Sequence, residues 1–500
     1  MKKIYSQTFK VAILCVLSLW LTSCNDFLKQ DPQSDYSAST FYQTQSDFQY
    51  AIAGVYSAQQ GLYNGLTYFR IMILRGDEVD LSSRLSSGYD DNASLFTDGD
   101  SGNYLLGAWE ALWTMIYRCN AILDRIDAAS FTDANVQKYI KGEALALRAW
   151  SYYTLAVSFG GMPLIDKVTS VNDTKNVKRS TQEETLAFAA ADYKSAIDLL
   201  PESWSGSSLG RVTKYAALGG LARIYMFQSK FAEADTYLKQ IISSQKYTFE
   251  TSYVNCFNEA NENKNERVWE VQFNTGGTGV GQGFSGSFLP ESATVGKDIL
   301  PVGSGASARL QLAPEFLAAF EAGDARKSVE TIGNIAVNGT LTGYTYIRKW
   351  MYYSNVPINT NDWGINLPIL RYTDVLMMHA ECLNEASYVA DGEAFNIINQ
   401  VRGRAGLAKL TSATVTSQAA FRTALQKERR IEFAFEGLRW FDLVRWGQAK
   451  DTINDFFKNA DEGGGTYSFG TDNHRLIFAI PSEEINRYAN TSIMWQNDGY

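Results

Sequence analysis

Apolar and small residues return every three or four positions over long stretches of this chain, and that period restricts the backbone to helices. Trp109, Leu112, Trp113, Ile116 and Tyr117 fall on one helical stripe, and Phe48, Ile52, Val55 and Tyr56 show the i, i+4, i+7, i+8 spacing earlier. A third stripe, Ala144, Leu147, Trp150, Ser151 and Thr154, lies in a helix predicted over 136–159, which Gly160, Gly161 and Pro163 stop. With 500 residues, 45% hydrophobic and 20% charged, the chain can bury such stripes in a broad core and lies outside the composition of disorder.

The stripes also come in pairs. Ala222 and Tyr225, then Ala234, Leu238 and Ile241, sit at the small and large packing positions of a tetratricopeptide unit, and Ala189, Tyr193, Ala196 and Pro201 match its second half. Ala380 and Leu383 with Ala394, Ile398 and Val401 form a further pair, whose connection is two residues longer than the usual motif. Each match alone is what any helical bundle shows. Together they predict a mostly α fold: a solenoid frame of tetratricopeptide-like helical pairs, with irregular loops and a few short strands packed on one side.

Helical order lapses twice. Residues 251–365 contain an alternating, strand-like run from Val268 to Phe273 and a Gly- and Ser-rich stretch over 274–308. Residues 76–107 are irregular and acidic. Loops carried on a rigid scaffold are where binding residues concentrate.

The amino end carries its own signal. Lys2 and Lys3 precede an apolar run from Val11 to Trp20, so residues 1–23 read as a secretory signal too short to span a membrane. Leu21-Thr22-Ser23-Cys24 resembles the lipobox of bacterial lipoproteins, which makes Cys24 the first mature residue and the lipid anchor. Several acyl chains, at roughly 0.8 kcal/mol per buried CH₂, hold a protein to a membrane without a transmembrane segment. Residues 24–40 then read as a lipidated tether and 41–500 as a single α-helical domain. Cys119, Cys256 and Cys382 are too few and scattered for a disulfide framework and read as buried apolar side chains.

Most chemical motifs weigh lightly. The net charge of −9, from 45 Lys+Arg against 54 Asp+Glu, argues against a nucleic-acid partner. Two histidines, His379 and His474, leave little for zinc or general-base chemistry, and His379 lies inside a strong helical run. Gly281-Gln282-Gly283-Phe284-Ser285-Gly286 satisfies GxGxxG without the strand-then-helix context of a dinucleotide site and reads as a loop. Glu428, Glu432 and Glu436, spaced by four beside Arg429, Arg430 and Arg439, read as ion-pair partners with lowered pKa values; a glycoside hydrolase needs carboxyls opposed across a cleft. Asp90, Asp91, Asn92, Asp98 and Asp100 offer oxygen ligands to calcium, but their order departs from the EF-hand loop, and a solvated acidic loop is the plainer reading. No cofactor is expected.

Several stretches together resemble the SusD/RagB family of nutrient-binding outer-membrane lipoproteins. They are Cys24-Asn25-Asp26-Phe27-Leu28; Gly142 to Ala149 leading to Phe159-Gly160-Gly161-Met162-Pro163-Leu164; Gly210 to Lys214; Leu370 to Met377 with Ala380-Glu381; and, most specifically, Glu428 to Leu443 followed by Ile480 to Asn486. The resemblance implies a non-catalytic protein at the cell surface that catches oligosaccharides, or in some members peptides, as a lid over a SusC-type TonB-dependent outer-membrane transporter. Two rivals are a surface glycoside hydrolase and a scaffold that binds only protein. A saccharide site needs flat aromatic rings for stacking and a few amides, carboxylates or arginines for hydrogen bonds. The aromatic residues in or near the irregular stretches are therefore the ligand-binding candidates: Tyr68, Tyr89, Phe96, Tyr104, Phe284, Tyr344 and Trp363. Trp440 and Trp446 lie in the closing motif and read as frame.

Overall fold

A computed structural model describes residues 41–500 apart from 65–66, 68–70, 80–92, 98, 102, 286–292, 296–297, 300–310, 338, 352–356, 358, 360, 461–467 and 471–472. Cys24, the signal and the tether lie outside the described residues. Local chemistry starts the helices. Thr44 and Asp47 form a reciprocal capping box at α1 (Gln45–Tyr63), satisfying backbone N–H groups that the first turn leaves unpaired. After α2 (Asn103–Leu123), Asp133 caps α3 (Ala134–Phe159), which ends at Gly160 with φ of +84°, a conformation that glycine adopts without a Cβ clash. Thr181 and Glu184 repeat the capping box at α4 (Gln182–Leu199), and α5 (Lys214–Phe227) and α6 (Phe231–Ser243) follow.

Each helix packs on the next, α1 on α2 through α5 on α6, so the stack grows by contacts between sequence neighbours as a solenoid does. The stack then continues from α6 onto α7 (Tyr372–Ala386), although well over a hundred residues separate them. Two strands explain how. β1 (Arg267–Val271) and β8 (Leu367–Arg371) pair antiparallel, with Glu270 opposite Pro368 and Val271 opposite Leu367, so the chain leaves and re-enters the frame at one place. Between them lie β2 (Ala293–Val295), β3 (Asp298–Ile299), β5 (Ile335–Val337) and β6 (Thr340–Leu341), ordered β3-β2-β5-β6, and a separate pair of β4 (Thr331–Ile332) and β7 (Tyr346–Ile347). α7 goes on to α8 (Glu393–Arg404), α9 (Gln418–Glu432) packs back on both, and α10 (Arg439–Arg445) and α11 (Ala449–Ala460) follow.

The predicted mostly α frame is the observed one. Ala144, Leu147, Trp150, Ser151 and Thr154 are all buried, and Trp150 meets Tyr63 of α1 and Trp269 of β1 at 6.0 and 6.2 Å between centroids. Fully burying a large apolar side chain contributes about 1.5–3 kcal/mol, so stacking supplies most of the driving force. Arg148 adds specificity: it forks onto Asp192 at 2.7 and 2.8 Å and bonds Asn120 Oδ1 at 2.7 Å, tying α2, α3 and α4 together.

Two expectations change. The Val268–Phe273 run is a strand, but β1 is buried on both faces because helices and β8 cover it. The α2 stripe is not uniformly core: Leu112 and Ile116 are covered, while Tyr117 is 60% exposed because among the described residues no element packs over that end of the stripe. Among the described residues no helix is long and apolar enough to cross a membrane.

Candidate functional site

The segment between β1 and β8 is fastened to the frame by buried charge. Arg371, the last residue of β8, bonds Glu436 at 2.8 and 2.9 Å, Glu266 at 3.0 Å and Glu432 at 3.0 Å, all of them buried. Arg404 reaches the same Glu432 at 2.6 Å, and Lys349 pairs with Glu436 at 2.8 Å and lies 3.5 Å from Glu330. Burial pushes the Glu432 carboxyl up, but Arg404, Arg371, Arg326 and Lys349 outweigh it and hold the group at about 2. Glu330 faces less compensation, and burial pushes it up to about 8 despite Lys349.

The expected ion pairing of Glu428, Glu432 and Glu436 is present, with different partners. Glu428 pairs with Arg326 and Arg402, whereas Arg429 takes Asp374 and Asp442, and Arg430 and Arg439 take Asp77. Adjacent residues of α9 point in different directions, so Glu428 and Glu432 turn to α8, β8 and the inserted segment while Arg429 and Arg430 turn elsewhere; Glu436 and Arg439 lie beyond the end of α9. The cations around Glu432 and Glu436 hold those carboxyls below the usual range, which makes them poor proton donors. His379 is likewise an interior helix residue, with Nδ1 2.5 Å from Asp235 and Nε2 3.4 Å from Glu393. Cys119, Cys256 and Cys382 are free and buried.

Above this base three stretches converge. Asn64, at the carboxyl end of α1, donates to the Gly281 carbonyl at 3.3 Å and accepts from the Gly283 N–H at 2.9 Å. Gln282 and Trp363 exchange backbone hydrogen bonds of 2.8 and 3.0 Å. This is what the GxGxxG stretch is for: a Cβ on Gly281 would sit 2.4 Å from Asp362 Oδ1, and one on Gly283 would sit 2.8 Å from Asn361 Oδ1. Asp362 in turn accepts from the N–H groups of Gly277 and Gly276 at 2.8 and 2.9 Å and from Thr275 at 3.3 Å; those backbone donors hold its carboxyl below the usual range. The result is a surface of hydroxyl, amide and one ionised carboxylate, with Asn359 and Asn361 exposed beside it. Such a surface exchanges hydrogen bonds with neutral polar ligands, and an acid depressed in this way accepts protons poorly at neutral pH.

The seven predicted aromatics divide. Tyr68 and Tyr89 lie outside the described residues. Tyr104 belongs to the first turn of α2, and its side chain lies outside them too. Phe96, Phe284 and Trp363 are corrected to core, because rings with 0–1% exposure have no face to offer a ligand. Phe96 packs on Trp440 and Phe469 at 5.3 and 5.0 Å with the Arg75 guanidinium 5.0 Å from its ring; Phe284 packs on Trp350 at 6.1 Å; Trp363 is drawn in by its pairing with Gln282. The structure thus brings Phe284 and Trp363 to the junction but inside it. Tyr344 alone among the described candidates is open, 50% exposed on the connection from β6 to β7. Trp440 is core, as read; Trp446 is partly covered and donates to Glu381 at 2.8 Å within the frame. Of the proposed calcium ligands, Asp90, Asp91, Asn92 and Asp98 lie outside the described residues. Asn64 and Asp362 were missed. The cluster Asn359-Thr360-Asn361-Asp362 was the available signal, since such residues favour turns that expose polar groups.

A sequence model of the SusD family matches residues 246–500, and one described as starch-binding, associating with the outer membrane, matches 26–226. The chain belongs to the SusD family. A SusD-like protein P25 of Formosa agariphila is 26% identical to it over 96% of each chain. The surface glycan-binding protein A of Bacteroides fluxus superposes with a TM-score of 0.76 at 22% identity, covering 92% of this chain and all of that one. The surface glycan-binding protein A of Bacteroides thetaiotaomicron, in complex with laminarihexaose, superposes with a TM-score of 0.75 at 20% identity over 91% of this chain and all of its own. The resemblance seen in the motifs is therefore membership, and this SusD-family member shares the helical frame of glycan-binding relatives.

Proposed function

We propose that this SusD-family protein is a lipid-anchored, non-catalytic receptor at the outer surface of the outer membrane that binds oligosaccharides and passes them to a SusC-type TonB-dependent transporter. The observation that carries the binding reading is the loop junction: Asn64, Asp362 and the amides around them, mounted on a frame stiffened by helix packing and buried charge. The laminarihexaose-bound relative of the same fold supports the ligand class. Non-catalysis is supported by the pairing of Glu428, Glu432 and Glu436 with cations, which ties up the acids a hydrolase reading would recruit. Hydroxyl-to-amide contacts, many through water, give moderate affinity, which suits cargo that is handed on. The anchor rests on Cys24 in its lipobox-like context.

Calorimetric titration of the mature protein against a panel of neutral oligosaccharides that includes laminarihexaose, with reducing ends assayed in the same mixtures, tests the reading. Heat without new reducing ends is expected; new reducing ends, or no heat with any member, overturn it. Cys24→Ala is expected to leave the protein outside the detergent phase, and continued partitioning there would refute the anchor.

A further inference from the structure

An aromatic stripe on α2 opens to the surface at one end. Trp109, Trp113 and Tyr117 follow at i, i+4 and i+8, and exposure rises along them: Trp109 is buried, Trp113 half-buried and Tyr117 60% exposed. The two indoles lie 5.9 Å apart at 45°. This stripe lines a cleft of about 640 Å³ walled by residues 165–174 and by the short helix Ser482–Tyr488. Charged groups stand along its rim. Arg487 pairs with Glu484 and lies 3.7 Å from Glu110, and the side chains of Arg487 and Glu110 are each more than half exposed. Trp109 and Glu484 both line the cleft.

We propose that this cleft is a second saccharide-binding site, in which the apolar face of a sugar ring lies along Tyr117 and Trp113 while its hydroxyls bond Glu110 and Arg487. The cleft shares no residue with the loop junction. Its volume is within the ~300–1,000 Å³ of small-molecule clefts. A protein partner wants about 800 Å² of surface on each side, more than a recessed groove between two short walls presents. A purely apolar ligand would leave the Glu110 and Arg487 charges without gain, whereas a saccharide matches both the rings and the rim. The inference rests on the glycan-binding reading for its ligand class.

Calorimetry on the mature protein with the same neutral oligosaccharide panel decides it, comparing wild type, Tyr117→Ala, Tyr117→Phe and Gly281→Ala. Two ligands per chain are expected for wild type. Tyr117→Ala should weaken one step by about tenfold and spare the other and the melting temperature, while Tyr117→Phe, which keeps the ring face, should bind as wild type. A single site that Tyr117→Ala leaves untouched overturns the inference and spares the function. Loss of transporter co-purification in Tyr117→Ala with unchanged sugar binding overturns it in favour of a protein-docking face. No heat from wild type with any saccharide overturns the functional reading itself, and this inference with it.

Discussion

The helices of the frame close their backbone hydrogen bonds within themselves and then meet through apolar faces, whereas the described residues between β1 and β8 are fastened to the frame by partners far away in sequence. α3 shows the first manner: from Gly142 to Phe159 all but one of its side chains are covered, each by a neighbouring helix or by β1. The inserted segment shows the second. Its strands are two or three residues long, its junction is held by Asn64 and Asp362, and its base is a set of buried charges running from Glu266 to Glu436. Strands that short have little stability of their own. The contrast shows how a solenoid can carry an irregular surface: the segment is clamped where it enters and leaves and turns rings such as Phe284, Trp350 and Trp363 inward, which leaves polar groups such as Asn361 and Asp362 at the surface.

The clamp is the place to break this contrast. Arg371→Ala leaves Glu266, Glu432 and Glu436 without their shared guanidinium, and a loss of about 3–5 kcal/mol is expected in urea unfolding. A loss below about 1 kcal/mol would show that the segment is held by something else. Gly281→Ala strikes the junction, where the new Cβ would lie 2.4 Å from Asp362 Oδ1 and 2.6 Å from its Cα, neither of which moves freely. A loss of about 1–3 kcal/mol together with weaker oligosaccharide binding is expected; full stability with unchanged affinity would detach the junction from the ligand surface.

Titration sharpens the comparison next. Glu432, depressed to about 2 in the folded protein, contributes stability that is complete above its ordinary pKa and is lost as pH falls toward 2. Glu330, raised to about 8, acts in the other sense: the folded state keeps a proton that the unfolded chain releases, so stability declines as pH rises from the ordinary carboxylate range toward 8. Glu330→Gln should flatten that alkaline decline while leaving the acid limb, as read from urea midpoints between pH 3 and pH 8; an unchanged alkaline limb would contradict it. The smallest effect on stability belongs to Tyr344→Ala. Its half-exposed ring should come off with a change within about 0.5 kcal/mol while oligosaccharide affinity falls. A parallel loss of melting temperature would make Tyr344 a packing residue.

Much of the frame was legible in advance because a helical period is a property of contiguous residues. The α3 helix predicted over 136–159 runs from 134 to 159, and of the positions at tetratricopeptide spacing Ala189, Tyr193, Ala196, Ala222, Ala234, Leu238, Ile241, Ala380, Ile398 and Val401 are buried, while Pro201, Tyr225, Leu383 and Ala394 are partly covered. The site was far less legible. Phe96, Phe284 and Trp363 were chosen for lying in irregular stretches, but an irregular stretch can fold its rings inward, and composition is silent on which way a loop turns. Tyr117 differs in the opposite direction: the period places it on the core stripe, but residues 165–174 and 482–488 wall a cleft beside it and leave its ring open.

Taken alone, the amino-acid order determined the helices, their pairing into a stack and the two places where the stack is interrupted, since each follows from residues within a few turns of one another. Tertiary structure decided which carboxylate meets which cation, which loop aromatic is spent on packing, and why Gly281 must lack a side chain. Those outcomes depend on groups such as Arg371 and Glu436, or Asn64 and Gly283, that meet only after the chain has closed on itself.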